Sequence, residues 1–294
     1  MKFELVVDSG VTIAETPIWD NRIGKLYWTD LFSGDIHQYD PRTKADKAWG
    51  TGKLIGSAVP CEKLGEVLCV VEGGAYILNQ SNGEMTHIAD PENGNSKNRY
   101  NDSRVDAAGR VFISSVAKTY GSADYTPDQL GGFYMIDSDH KTVTTIVEGI
   151  NQYNAICWNA ANTKMFVVDT YNQKLLCFDY DLAKGPVSGA KEVINFTKQG
   201  MPDGMCIDED DNLYICHWTG RISVWNKVYK LVDEILFPVE QVCCCGFGGS
   251  DMQDFYVATA SFGYSEADIA ANPGAGGLFV SRTAVKGAPE HFYK

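Results

Sequence analysis

The hydrophobic positions of this chain alternate with polar ones in short runs, and helical spacing is scarce. β-branched and aromatic residues fill the runs, while Gly, Asp and Asn bound them, which is typical of short antiparallel strands. Six runs share one shape, in which a turn precedes a strand and a second turn leads to a partner strand. They read GKLYWTD, GEVLCVVE, GRVFISS, TKMFVVD, DNLYICHW and QDFYVATA.

One apolar residue in each run serves as a phase marker. The markers recur at intervals of 41 to 54 residues and are Tyr27, Leu68, Phe112, Phe166, Tyr214 and Tyr256. A repeat of this length, made only of short strands, is the signature of a β-propeller. Six repeats account for all 294 residues. The sequence therefore predicts an all-β fold, with residues 1–294 forming a single six-bladed β-propeller domain of four antiparallel strands per blade.

Polar residues recur at one phase of the predicted inner strands. The innermost strands line the central channel of a propeller, so residues at equal phase face the same axial volume. Counting back 11 or 12 positions from five of the markers gives Glu15, Asn101, Asn154, Asp203 and the Cys244/Cys245 pair. The second blade offers only Ser57 or its neighbours. Four blades thus place a carboxylate or amide oxygen where an inner strand ordinarily carries a small or apolar residue.

These oxygens predict a cation site at the mouth of the channel. No Lys or Arg occupies the same phase to neutralise Glu15 and Asp203, and buried carboxylates are costly unless they are paired or bind a metal. An all-oxygen set suits one divalent metal cation, either Ca²⁺, Mg²⁺ or Mn²⁺, with Zn²⁺ possible where carboxylates dominate. The alternative is a polar, water-filled channel without a metal.

Charge and composition limit the kinds of binding partner and the cellular compartment that we expect for this protein. The net charge of −13, without any basic run, argues against nucleic acid as a partner. No apolar stretch is long enough to span a membrane. Glu4 and Asp8 interrupt the apolar stretch that a signal peptide needs, so we expect a cytoplasmic protein. The nine cysteines include no Cys-x-x-Cys pair and are interpreted as reduced core residues.

Several motifs resemble those of one known family, the senescence marker protein/gluconolactonase/luciferin-regenerating enzyme family, which includes regucalcin. They run in family order from about residue 10 to the end, with an Asn at 154 before an apolar strand among them. The others are AETPIWD at 14–20, RYND at 99–102, GR at 109–110, PDGM at 202–205, GFGG at 246–249 and GGLF at 276–279. Together these motifs are specific, whereas each alone is weak.

The resemblance implies a six-bladed propeller that holds one divalent metal and hydrolyses sugar lactones. By motif, the metal ligands would be Glu15, Asn154 and Asp203, and Asp203 would also be the catalytic base. Arg99 and Asn101 would bind the substrate. The three metal ligands are among the four residues with a carboxylate or amide oxygen that the phase count selects independently.

The sequence also departs from the family pattern. Ser103 and Ala155 stand where the family often has Gly. An acidic residue that helps to bind the sugar in some members would fall near Lys118 or Thr119, and neither is acidic. Thr119 is included among the candidate substrate-binding residues, as is Tyr153, whose ring could stack on a sugar. The departures leave the ligands intact and the identity of the substrate open.

The interpretation favoured by the sequence is a metal-dependent lactonase whose small-molecule partner is gluconolactone or a related aldonolactone. One alternative is a propeller that binds partner proteins, which the carboxylates at Glu15 and Asp203 disfavour. Another is a Ca²⁺-binding regulatory protein with incidental esterase activity, which needs the same ligands. Whether His217 or Trp218 lines the pocket, and the oligomeric state, stay open.

Overall fold

Six four-stranded antiparallel sheets follow one another around a central axis in the computed structural model, which describes all 294 residues. The predicted six-bladed β-propeller is confirmed. Blade 1 comprises β2 (Ala14–Asp20), β3 (Lys25–Asp30), β4 (Asp35–Asp40) and β5 (Ala45–Gly50), after the N-terminal strand β1 (Glu4–Val7). Blade 2 comprises β6 (Ile55–Pro60), β7 (Glu66–Val71), β8 (Gly74–Asn79) and β9 (Met85–Ala89). Blade 3 comprises β10 (Asn98–Val105), β11 (Val111–Ala117), β12 (Gly131–Ile136) and β13 (Val143–Ile150).

The second half of the chain repeats this arrangement with small variations. Blade 4 comprises β14 (Tyr153–Trp158), β15 (Lys164–Asp169), β16 (Lys174–Asp181) and β18 (Lys191–Asn195), with the short β17 (Gly185–Pro186) also paired to β16. Blade 5 comprises β19 (Pro202–Ile207), β20 (Leu213–His217), β21 (Arg221–Trp225) and β22 (Leu231–Leu236). Blade 6 contains β23 (Val242–Gly248), β24 (Asp254–Thr259) and β25 (Leu278–Arg282) from the C-terminal part of the chain.

The ring closes through β1, which pairs with β25 as the fourth strand of blade 6. The two ends of the chain therefore share one sheet, a feature that the repeat pattern did not predict. The only helix is α1 (Glu266–Ala271), which Ser265 caps in the loop before β25. No helix has the length and hydropathy of a membrane span.

The hydrophobic core lies between neighbouring blades. Phe112 and Phe133 of blade 3, for example, pack with Ile156 and Met165 of blade 4, and all four side chains are fully or almost fully buried. Each phase marker occupies the second strand of its blade, so the sequence repeat follows the structural one. The alternation of apolar residues on the strands thus supplies two packed faces per blade.

The six inner strands pack closely around the axis, each beside the inner strand of the next blade. Three of these contacts require glycine, one of them at Gly246, where a Cβ would lie 2.3 Å from the carbonyl oxygen of Pro17. A Cβ on Gly56 would lie 2.0 Å from the carbonyl oxygen of Asn101, and one on Gly204 would lie 2.5 Å from Cα of Cys244. Glycine therefore allows the backbones of neighbouring blades to approach each other, which brings residues of different blades within reach of one site.

Candidate active site at one end of the central channel

A β-bulge interrupts the first strand pair of every blade at the same level. In each case the inner strand has one residue more than its partner, as between Tyr100 and Ser103, between Tyr153 and Ile156 and between Pro202 and Met205. Bulges bend a strand and redirect side chains, and they are frequent beside active sites. Here they lie at or beside the residues that the phase count selected, Glu15, Asn101, Asn154 and Asp203.

Two carboxylates from different blades meet at this level. Ligand atoms of Glu15, Asp203 and Cys243 all lie within 4.8 Å of one another. Burial raises the pKa of Asp203 to about 7, against an opposing hydrogen bond from Trp218. Burial, together with repulsion by Asp203 and Asp102, also raises the pKa of Glu15 well above its usual value. The charged forms of both groups therefore need a compensating positive charge.

Arg99 supplies part of that charge without a direct ion pair. Its Nη1 donates to the carbonyl oxygen of Tyr100 at 3.1 Å and to Oδ1 of Asn101 at 2.8 Å. Burial lowers the pKa of Arg99 to about 10, opposed by attraction to Glu15 and Asp203, so the group remains charged near neutral pH. No Lys or Arg occupies the phase of the carboxylates, as the sequence indicated, yet the charge of Arg99 acts on both of them. Phase counting missed Arg99 because its backbone lies two residues before Asn101. Its long side chain nevertheless extends to Oδ1 of that residue.

A chain of amide hydrogen bonds continues from Arg99. Asn101 Nδ2 donates to Oδ1 of Asn154 at 2.9 Å and to the carbonyl oxygen of Tyr153 at 3.0 Å. Asn154 Nδ2 in turn donates to Oγ1 of Thr170 at 3.0 Å. These bonds use the NH₂ group of Asn154 and leave its Oδ1 with a free lone pair, since a carbonyl oxygen can accept twice. The network therefore fixes the amide of Asn154, which lines the same cavity as the carboxylates.

The site opens into a cavity of about 550 Å³. Trp218 lines it and donates its Nε1 hydrogen to Oδ2 of Asp203 at 2.7 Å, so the open question about Trp218 is answered. Five further aromatic residues line it from loops, namely Phe32, Tyr120, Tyr125, Tyr171 and Phe262. Sequence reasoning missed these five, because loop residues show no periodicity that would assign them to the channel.

Most of the predicted site residues come together in this cavity. Glu15, Arg99, Asn101, Asn154 and Asp203 all line it. His217 does not, because it is fully buried with its ring nitrogens 3.0 Å from the carbonyl oxygen of Gly200 and 2.8 Å from Oγ of Ser223. Burial lowers the pKa of His217 to about 4, which fits a neutral structural residue.

Two predicted substrate-binding residues, Tyr153 and Thr119, do not line the cavity. The ring of Tyr153 packs edge-on against Phe133 at a centroid distance of 5.8 Å, within the core between blades 3 and 4. Neighbouring residues on a strand face opposite sides, so Tyr153 points away from the axis when Asn154 points toward it. Thr119 donates its hydroxyl to Gln129, while its neighbours Lys118 and Tyr120 line the cavity.

The donor atoms fit a divalent cation. Two carboxylates from blades 1 and 5 lie together, Asn154 of blade 4 lines the same cavity, and Arg99 donates to Asn101 rather than to either carboxylate. Oxygen ligands of this kind are those that hard divalent cations bind. The nine cysteines are all free and buried, as expected, and Cys243 alone lies among the carboxylates.

Residues 13–261 match the family model described as the SMP-30/Gluconolactonase/LRE-like region. The chain belongs to this family. The suggested resemblance is thereby confirmed over most of the sequence, and the family match covers the inner strands of all six blades.

Individual relatives extend over nearly the whole chain. Regucalcin of Danio rerio is 29% identical and covers 100% of this chain and 98% of its own length. A Bacillus subtilis protein named "Putative sugar lactone lactonase YvrE" is 27% identical and covers 96% of this chain and 95% of its own. The crystal structure of a calcium-binding protein, regucalcin, from Agrobacterium tumefaciens superposes with a TM-score of 0.92 at 22% identity, covering 99% of this chain and 96% of that one.

Proposed function

We propose that this protein hydrolyses sugar lactones with the help of one divalent cation held by Glu15, Asn154 and Asp203. The observation that carries the proposal is the convergence of these three oxygen donors from separate blades at the base of one cavity. The name of the Bacillus subtilis relative supports the reaction class. The regucalcin relatives support a divalent cation.

A lactone is a cyclic ester, so its hydrolysis adds water to the carbonyl carbon and breaks the bond to the ring oxygen. A divalent cation would supply Lewis-acid polarisation of the ester carbonyl and of the attacking water. Asp203 is positioned to take the water proton and to return it to the departing ring oxygen. Its Oδ2 accepts a hydrogen bond from Trp218, so the lone pairs of Oδ1 would serve both the cation and the proton transfer.

The cationic and amide groups bind and orient the substrate. The guanidinium of Arg99 lines the cavity and offers a fork of donors for sugar hydroxyls or for the developing oxyanion. Asn101 is held by Arg99 and by the Asn154 amide, so it presents a fixed edge to the cavity. Rigid placement of such groups reduces the entropy that is lost when the substrate is oriented.

A second candidate function is a Ca²⁺-binding regulatory role with incidental esterase activity. The names of the regucalcin relatives favour it, and the same oxygen donors would serve. The two functions differ in turnover. An enzyme hydrolyses a preferred lactone well above its background rate. A regulatory protein binds Ca²⁺, but it hydrolyses esters slowly and with little selectivity among them.

The test is acid release from a panel of aldonolactones, which spans gluconolactone and the pentonolactones. The protein is first chelated and then assayed with and without added Ca²⁺, Mg²⁺, Mn²⁺ or Zn²⁺, after subtraction of background hydrolysis. We expect turnover that depends on the added cation, and the ranking of lactones and cations then identifies both. Hydrolysis that stays at background with every cation, while Ca²⁺ still binds, would favour the regulatory alternative.

A further inference from the structure

Cys243 lies closer to the two site carboxylates than any other thiol. It occupies the bulge of β23 between Val242 and Cys244, and its Sγ lies within 4.8 Å of ligand oxygens of Glu15 and Asp203. The bulge matters, because one extra residue redirects the side chain that it carries. A soft donor from blade 6 therefore joins the oxygen donors from blades 1, 4 and 5.

The thiol has little to bind in the protein itself. Its only hydrogen-bond partner is the carbonyl oxygen of Gln241, at 3.9 Å from Sγ, which is a weak contact. It is fully buried and packs on Ile13, Leu31 and Ala260 below the floor of the cavity. Because its Sγ and the oxygens of both carboxylates lie within 4.8 Å of one another, a single cation at this point would contact all three groups.

We propose that Cys243 is a fourth protein ligand to the cation, with its Sγ beside the oxygens of Glu15, Asn154 and Asp203. This inference rests on the cation site of the proposed function. As the bond between Sγ and the cation forms, the thiol proton is released to solvent. A thiolate selects borderline and soft cations, whereas Ca²⁺ and Mg²⁺ bind oxygen. The site therefore favours Zn²⁺ over Ca²⁺, in contrast to a site with oxygen ligands only.

Cobalt provides a direct probe, because a thiolate bound to Co²⁺ gives a charge-transfer absorption in the near ultraviolet. Chelated protein is titrated with Co²⁺, and the wild type is expected to show this band. The band disappears in Cys243→Ala and in Cys243→Ser, the second variant being included in case the first fails to fold. The matched control is Cys69→Ala, which removes an equally buried thiol from β7 in blade 2 and should keep the band.

Competition calorimetry measures the selectivity. Cys243→Ala should lose at least about tenfold in affinity for Zn²⁺ and change its affinity for Ca²⁺ by less than about threefold. Co²⁺ binding to the wild type without a thiolate band, an undiminished band in the Cys243 variants, or no Co²⁺ binding at all would overturn the inference.

The failure of this inference is distinguishable from failure of the proposed function. If the thiolate band is missing but lactone hydrolysis still requires an added cation, Cys243 is not a ligand and the proposed function stands. If the band is present but no lactone is hydrolysed, the ligand set stands and the proposed reaction is wrong.

Discussion

The two ends of the central channel both bury charged groups, and they differ in how those charges are compensated. At the cavity end, Glu15 and Asp203 face each other and Arg99 donates its hydrogen bonds elsewhere. At the opposite end, Arg104 is 4% exposed and its Nη2 lies 4.0 Å from Oε1 of Glu290. Glu290 comes from the C-terminal segment 288–291, which lines another cavity together with Arg104.

The difference supports the cation that is proposed for the cavity end. Asp102 and Arg104 both come from β10, the strand that also carries Arg99 and Asn101. Burial raises the pKa of Asp102 to about 6, and the charge of Arg104 opposes that rise. Glu290 lies beside the buried Arg104 at one end, whereas at the cavity end Arg99 donates to Asn101 and not to Glu15 or Asp203.

The largest predicted effect is the loss of hydrolysis when a carboxylate at the cavity end is made neutral. Glu15→Gln and Asp203→Asn should each lower kcat/KM for the preferred lactone by at least about 1000-fold, because each removes a cation ligand and Asp203 is also the base. The matched control is Glu209→Gln, which neutralises a surface carboxylate that is paired with Lys286. Steady-state kinetics on variants with wild-type circular dichroism provide the measurement, and retained turnover in either site variant would refute the assignment.

Asp203→Asn should also increase the stability of the cation-free protein. Asp203 has a higher pKa in the folded protein, about 7, than in an unfolded chain, so the folded state binds more protons between these two values. The contribution of Asp203 to the free energy of unfolding of the chelated wild type therefore falls as pH rises from about 4 to 7. At pH 7, Asp203→Asn should be more stable than the wild type by on the order of 2 kcal/mol, and the gain should vanish near pH 4. Urea unfolding of both proteins at both pH values would test this, and a difference in stability that is the same at pH 4 and pH 7 would contradict it.

A carboxylate removed from the other end should have the opposite effect. Glu290→Gln leaves the buried Arg104 guanidinium without its nearest carboxylate, so we expect a loss of about 1–2 kcal/mol in the free energy of unfolding. Lactone turnover per folded molecule should stay within twofold of wild type. Denaturant unfolding and kinetics on the same preparation give both values, and a stable but inactive variant would show that the two ends do not differ in this way.

The smallest effects are expected at the two residues that the structure places outside the cavity. Thr119→Val and Tyr153→Phe should change kcat/KM by less than about threefold, because neither side chain lines the cavity. Trp218→Phe provides the contrast, since it removes the hydrogen bond to Asp203 and should cost about tenfold. Measuring kcat/KM of all three variants with one lactone would rank the three effects. A large loss of kcat/KM in Thr119→Val would indicate that Thr119 binds the substrate.

The propeller and most of its site were predictable because strand periodicity carries over to three dimensions. Residues at one phase of the inner strands, such as Asn154 and Asp203, do meet at one level of the channel. The same counting led to Cys244 and Cys245 in blade 6, whereas Cys243 is the residue beside the carboxylates. The marker Tyr256 pairs with Gly246, ten residues earlier, whereas Phe112 pairs with Arg104 and Tyr214 with Cys206, each eight residues earlier. The connection between β23 and β24 is therefore longer, and counting at a fixed interval stops short of Cys243.

Other features depend on contacts that lie far apart in sequence. The pairing of β1 with β25 joins the two ends of the chain, and no local pattern identifies the partner of a terminal strand. The aromatic wall of the cavity comes from loops such as the one that carries Tyr120 and Tyr125. Loop conformation follows from turn geometry and long-range packing rather than from a repeat, so these residues could be located only in the folded structure.

The central claim is that the open end of the channel binds one divalent cation through Glu15, Asn154 and Asp203, and calorimetric titration tests it most directly. Chelated wild-type protein, Glu15→Gln and the control Glu209→Gln would each be titrated with Ca²⁺ and with Zn²⁺. We predict one ion per chain for the wild type and for the control, with loss of that binding in Glu15→Gln. Equal stoichiometry and equal affinity in all three proteins would contradict the claim.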